Sequence, residues 1–147
     1  MLTCYDVADY FLSKVDDETD ELISNMKLQK LVYYAQGCHL ALFDEPLFSE
    51  PIKAWAHGPV IPSLYRKYKD FGAQGIQLPA EGIDLSKYEK RVCDLLDDIY
   101  EVYGQYSAWK LRNLTHEEPP WKDTPQDGEI RHESMKRYFK TLLIDEP

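Results

Sequence analysis

Cysteine, glycine, positive charge and long apolar runs are all in short supply in this chain, and each shortage excludes something. The three cysteines, Cys4, Cys38 and Cys93, are odd in number and widely separated, with no C-x-x-C pair. That rules out a disulfide framework or a zinc knuckle and reads as reduced, mostly buried thiols in a cytoplasmic protein. The best apolar stretch is broken by Gln36, Gly37 and His39, so nothing approaches the about 18 apolar residues of a membrane span. The first residues, MLTCYDVADYF, carry Asp6 and lack the basic-then-apolar order of a signal peptide. Seven glycines include no G-x-x-x-x-G-K and no G-x-G-x-x-G, so no nucleotide cradle is visible and no cofactor is expected. Seventeen Lys and Arg face 26 Asp and Glu, a net charge of −9, which repels phosphate backbones and argues against direct nucleic-acid binding. An acidic surface suits a basic protein partner, and solubility alone accounts for it equally well.

What the chain has is apolar and aromatic material. It is 44% hydrophobic with 11 Tyr and 3 Trp in 147 residues, enough for one real core in a single domain spanning 1–147. Thr3 with Asp6 resembles a capping box, and Val7, Ala8, Phe11 and Val15 recur at helical spacing, predicting a helix from about Cys4 to Lys14. Asp16, Asp17, Glu18, Asp20 and Glu21 then form an acidic connector. Ser24 caps a central helix from about Asn25 to Phe43, on a stripe of Leu28, Leu31, Val32, Ala35, Cys38 and Leu42. Gly37 within it predicts a close crossing by a neighbour.

The segment LFSEPIKAWAH alternates as a short strand or two, with Pro51 restricting it to an edge and Gly58-Pro59 turning the chain. A helix opens at Pro62-Ser63 and ends at Gly72; another opens at a Ser86/Glu89 capping box and stops at Gly104. Ser107 starts a shorter one that must finish before Pro119-Pro120, and a last helix runs from about His132 to Leu143. The expectation is a mainly α fold of about six helices with a small β element around residues 47–58.

No catalytic or metal-binding set emerges. Thr115 to Trp121, THEEPPW, superficially resembles a metal-binding HE pair, but Pro119-Pro120 stand where a second histidine would be needed. Capping by Thr115, Glu117 and Glu118 near a helix dipole, and a Trp121 plug, are the favoured roles. His57, before Gly58-Pro59, reads as a strand-end residue bonded to backbone. No serine lies in a G-x-S-x-G elbow. Lys27, Lys30, Arg66, Lys67 and Lys69 are the one notable basic set, read as a solvated or ion-paired face before a phosphate site. Trp55, Tyr65, Tyr68, Trp109 and Trp121 read first as core, although several lie beside loops, where recognition surfaces gather.

Three ordered blocks carry a resemblance: KLQKLVYYAQG (27–37), EPIKAWAHGPVIPSLYRKY (50–68) and YGQYSAWKLRNLTHEEPPW (103–121). Together the chain resembles the Panacea antitoxin domain family, which is SocA- and GepA-like. The resemblance implies a mainly helical antitoxin that neutralises a cognate, translation-blocking toxin by direct protein–protein contact, with prophage relatives and no catalytic residues to carry over. It also implies an alternative, a proteolytic adaptor that delivers a toxin to an ATP-dependent protease. Because the chain begins almost at the family's first helix, no additional DNA-binding region is expected. The family-motif set is Lys27, Gln29, Lys30, Tyr34, Gln36, Trp55, His57, Gly58, Pro59, Thr115, His116 and Trp121, chiefly scaffold. Candidate partner-binding residues are Asp16, Asp17, Glu18, Tyr65, Tyr68 and Trp109, with the 71–87 region and the last helix as further variable surface. A small enzyme using His57, His116 and Glu117 is the remaining reading.

Overall fold

Helix α1 (Cys4–Ser13) begins where the sequence says it should: Thr3 Oγ1 accepts from the Asp6 amide at 3.2 Å, while Asp6 Oδ2 accepts from the Thr3 amide at 2.9 Å. The computed structural model describes residues 1–15, 22–78 and 82–144. The acidic connector, including Asp16, Asp17 and Glu18, therefore lies outside the described residues. Strand β1 (Ile23–Ser24) leads into the central helix α2 (Asn25–Phe43), whose first turn is capped by Ser24 Oγ accepting from the Lys27 amide. Strands β2 (Lys53–Trp55) and β3 (Gly58–Val60) form an antiparallel pair. Helix α3 (Pro62–Tyr68) continues into a 3-10 turn, and β4 (Gly75–Ile76) pairs with β1. Helices α4 (Lys90–Tyr103), α5 (Ala108–His116), α6 (Pro119–Lys122) and α7 (His132–Ile144) complete the described chain.

The organising element is α2, which packs against α1, α3, α4, α5, α7 and the β2–β3 pair. Surrounded on this scale it must be apolar nearly all round, and from Leu28 to Gly37 every residue is buried. Its stripe runs out only at the last turn, where Leu42 is 47% exposed. The close crossing expected at Gly37 is made by α7: a Cβ there would sit 2.2 Å from Phe139 Cε2, and Phe139 is itself buried. Phe139 meets Tyr33 and Tyr34 edge-on, so α7 seals the tyrosine-rich side of α2.

Several local expectations are revised. The strand pair occupies 53–60, turning at Ala56–His57, while Gly58 and Pro59 lie within β3. Pro59 is tolerated there because its partner Ala54 uses its own backbone elsewhere: Ala54 N–H donates to Gly128 O at 2.9 Å and Ala54 O accepts from Asp127 N–H at 2.8 Å. Strand β2 is consequently flanked on both sides instead of forming an edge. The Ser86 capping box does not form; Ser86 Oγ donates to Asp84 Oδ1 at 2.6 Å in a 3-10 turn, and α4 starts only after Glu89. The additional helix α6 is a single turn begun by Pro119-Pro120, where a missing N–H costs nothing.

Candidate functional site

Helical spacing sorts the polar residues of α2 into separate faces. Gln29 and Gln36, two turns apart, act on backbone: Gln29 Oε1 accepts from Ile61 N–H at 2.9 Å, and Gln36 bonds both Phe48 O (2.8 Å) and Leu47 N–H (2.7 Å). Asn25 extends the first of these links, receiving a bond from Gln29 Nε2 at 2.8 Å and donating to Tyr65 O at 3.1 Å. Each buried amide is satisfied by a chain segment that it holds in place, which is a scaffold role.

Lys27, Lys30 and Tyr34 share another face. Lys27 Nζ donates to Gly104 O at 2.6 Å, closing the end of α4. Tyr34 lies flat on Tyr103, with centroids 3.9 Å apart, and its hydroxyl donates to Glu118 Oε2 at 2.9 Å. Tyr33 donates to Glu118 Oε1 at 3.3 Å, and Tyr138 adds a further bond. Glu118 is thus a buried carboxylate among phenols; burial raises its pKa to about 7, against the lowering effect of those hydrogen bonds.

Lys30 is 0% exposed and differs in kind. Its Nζ touches Met26 Sδ at 3.0 Å, and no carboxylate pairs with it among the described residues. Gly58 covers it: a Cβ at that position, where φ is +111°, would fall 2.7 Å from Lys30 Cε, so glycine serves both the backbone and the fit. Burial first, and then the Arg112 guanidinium, lower the Lys30 pKa to about 7.

Helix α5 supplies the neighbours, since Trp109, Arg112 and His116 recur at helical spacing on one face. Arg112 stacks on Trp109 at 4.6 Å and donates from Nη1 to Asn113 Oδ1 at 3.0 Å. His116 lies flat on Trp121 (4.0 Å between centroids, 4° between planes), and burial, with Arg112 next, pushes its pKa below the usual imidazole value. Two nitrogens here, Arg112 Nε and His116 Nε2, are buried with no hydrogen-bond partner. Trp109 is 65% exposed, the most exposed large hydrophobic side chain after Met1 among the described residues.

The remaining motif residues surround this cluster. Trp121 Nε1 donates to Trp55 O at 2.8 Å, and Trp55 meets Tyr65 edge-on at 5.2 Å. Thr115 does not cap a turn; Thr115 Oγ1 donates back to Arg112 O at 2.9 Å inside α5, and Glu118 precedes α6 without capping it. His57 is exposed at the β2–β3 turn. Tyr68 is 7% exposed, so its ring offers a partner little surface. Among the described residues, no group of three His, Cys, Asp or Glu is placed to hold a metal ion, and no helix is long and apolar enough to cross a membrane. A depression lined by His39, Glu45, Glu89 and Arg91 involves none of the motif residues, and its charges pair internally, Arg91 with Glu45 at 2.8 Å.

Residues 28–122, which hold most of α2, the β2–β3 hairpin, α5 and α6, match the family described as antitoxin SocA-like, Panacea domain. The chain belongs to that family. Antitoxin SocA of Caulobacter vibrioides (strain NA1000 / CB15N) is 40% identical over 109 residues, covering 67% of this chain and 58% of that protein. The chain therefore spans somewhat more than half the length of the curated relative it matches. No solved structure matches.

The sequence reading did not single out Arg112 or Asn25, and it assigned Glu118 to a helix dipole. Arg112 was legible as the middle member of the Trp109, Arg112, His116 face. Glu118 was not, because its phenol partners lie 84 and 85 positions away.

Proposed function

We propose that this protein is an antitoxin that neutralises a cognate toxin by direct protein–protein contact, with no catalytic step of its own. Residues 1–147 act as one Panacea-like domain in the cytoplasm, and the toxin is of the translation-blocking class. Two supports are independent: family membership, and an exposed Trp109 held by a stacked Arg112. The second is the observation that carries a binding role, because solvent-facing tryptophan and arginine at the centre of a patch are the side chains that dominate interface energies. Tyr65 and the connector residues Asp16, Asp17 and Glu18 are further proposed partner contacts, the acidic ones because such charge speeds encounter with a basic partner.

The test is co-expression with the open reading frame beside this gene, scoring growth with and without the protein. Rescue by the wild type and its loss in Trp109→Ala is the expected result, the variant binding about thirtyfold more weakly. Absence of any toxic neighbour would remove the reading. Rescue that disappears in cells lacking the ATP-dependent protease would instead identify an adaptor. Loss of rescue in folded His57→Ala or His116→Ala variants that still bind the toxin would point to a histidine-dependent enzyme.

A further inference from the structure

The site under α5 buries a lysine without an acid and leaves an arginine N–H without a partner, which a scaffold does not need. Lys30 is buried without an acid, Arg112 Nε and His116 Nε2 have no partner, and Arg112 is near enough to depress both Lys30 and His116 electrostatically. Burying a cation beside another cation is unfavourable in the free protein. Elsewhere this chain pairs its buried polar groups: both core glutamines and Glu118 have their acceptors and donors filled. The exception sits directly behind the exposed Trp109–Arg112 stack.

We propose that the Lys30–Arg112–His116 cluster receives one acidic side chain of the toxin, an Asp or Glu carboxylate that docks beside Trp109 on Arg112. The inference rests on the antitoxin reading and gives that interface its central contact. The carboxylate takes the donor capacity that Arg112 leaves unused, and Lys30, beneath it, becomes a compensated charge. A single carboxylate fits better than a phosphate chain. No glycine-rich loop or helix N-terminus frames the cluster, and the chain's net charge of −9 opposes a polyanion. The same net charge favours a partner that is basic around its rim and places one acid at the centre.

The experiment is a double-mutant cycle on the purified full chain and the toxin encoded by the adjacent reading frame. Lys30→Met and Arg112→Met are each combined with single Asp→Ala or Glu→Ala changes across the toxin surface. Each antitoxin variant is expected to weaken toxin binding about thirtyfold or more, the lower end for truncating one partner of a buried charge pair. One toxin acid should show the same loss, with no further loss when combined with Lys30→Met or Arg112→Met. Lys110→Met, which removes a neighbouring exposed cation lying over Tyr106, should bind like the wild type. Folding is checked by thermal unfolding, and Arg112→Lys, which keeps charge but loses the planar fork, should bind at an intermediate level.

Full-affinity binding by folded Lys30→Met and Arg112→Met, or the absence of any coupled toxin acid, would overturn the proposal while leaving the antitoxin reading intact. Binding lost on adding inorganic phosphate, with no coupled acid, would overturn it in favour of a small-anion site. Failure of the wild type to bind would overturn both.

Discussion

Two buried ionisable groups, both touching α2, are treated oppositely. Glu118 is enclosed by Tyr33, Tyr34 and Tyr138, each a donor, so its acceptor sites are filled from within the chain. Lys30 has a thioether, a glycine and another cation for company. The contrast separates a group that holds the fold together from one that the fold merely tolerates. Polar burial is therefore informative only together with its partners: Glu118 is filled by phenols, whereas Lys30 has a thioether and no acid.

The largest expected effect breaks the satisfied site. Glu118→Leu leaves the Tyr33 and Tyr34 hydroxyls buried without an acceptor and should cost about 3 kcal/mol in urea unfolding, at about 1–3 kcal/mol for each orphaned group. A loss below about 1 kcal/mol would mean that the phenols find other acceptors.

Next comes pH, where the two groups act in opposite windows. Glu118 has its folded pKa raised from 4.5 to about 7, so the folded state binds the extra proton in between. Its contribution is fully present below about 4.5 and is lost as pH rises to about 7. Lys30 has its folded pKa lowered from 10.5 to about 7, so the unfolded state binds the extra proton between those values and stability rises with pH across them. The unfolding free energy of wild type minus Glu118→Gln should fall by roughly 2 kcal/mol over the first window, and that of wild type minus Lys30→Met should rise by a similar amount over the second. Flat differences in both would show that neither group is desolvated in solution.

A smaller effect sharpens the comparison near neutral pH, where Lys30→Met should stabilise the protein by about 1 kcal/mol, since an apolar side chain of similar length removes an uncompensated ion. The smallest is Trp109→Ala, expected to change stability by less than about 0.5 kcal/mol because the ring faces solvent, while toxin binding collapses.

The main helices were legible because their signals are local. Ser24, Ser107 and Thr3 cap the elements that follow them, and the α2 stripe repeats at three and four. The β1–β4 pair was not legible, because two-residue strands carry no periodicity and their partners lie far apart in the chain. The Ala56–His57 turn was misplaced because Gly58 looks like turn chemistry, whereas its glycine is required by Lys30 packed beneath it. The same limit applies to the site. The Trp109, Arg112 and His116 face can be read from spacing, but that Lys30 lies near it without an acid depends on how α2, α5 and β3 converge.

The claim that Lys30 is kept for an acidic partner is tested most directly by measuring its own pKa by NMR, in the free protein and in the toxin complex. A value near 7 when free, moving upward on binding, is the predicted result. A free value near 10.5, or one that toxin leaves unchanged, would contradict it.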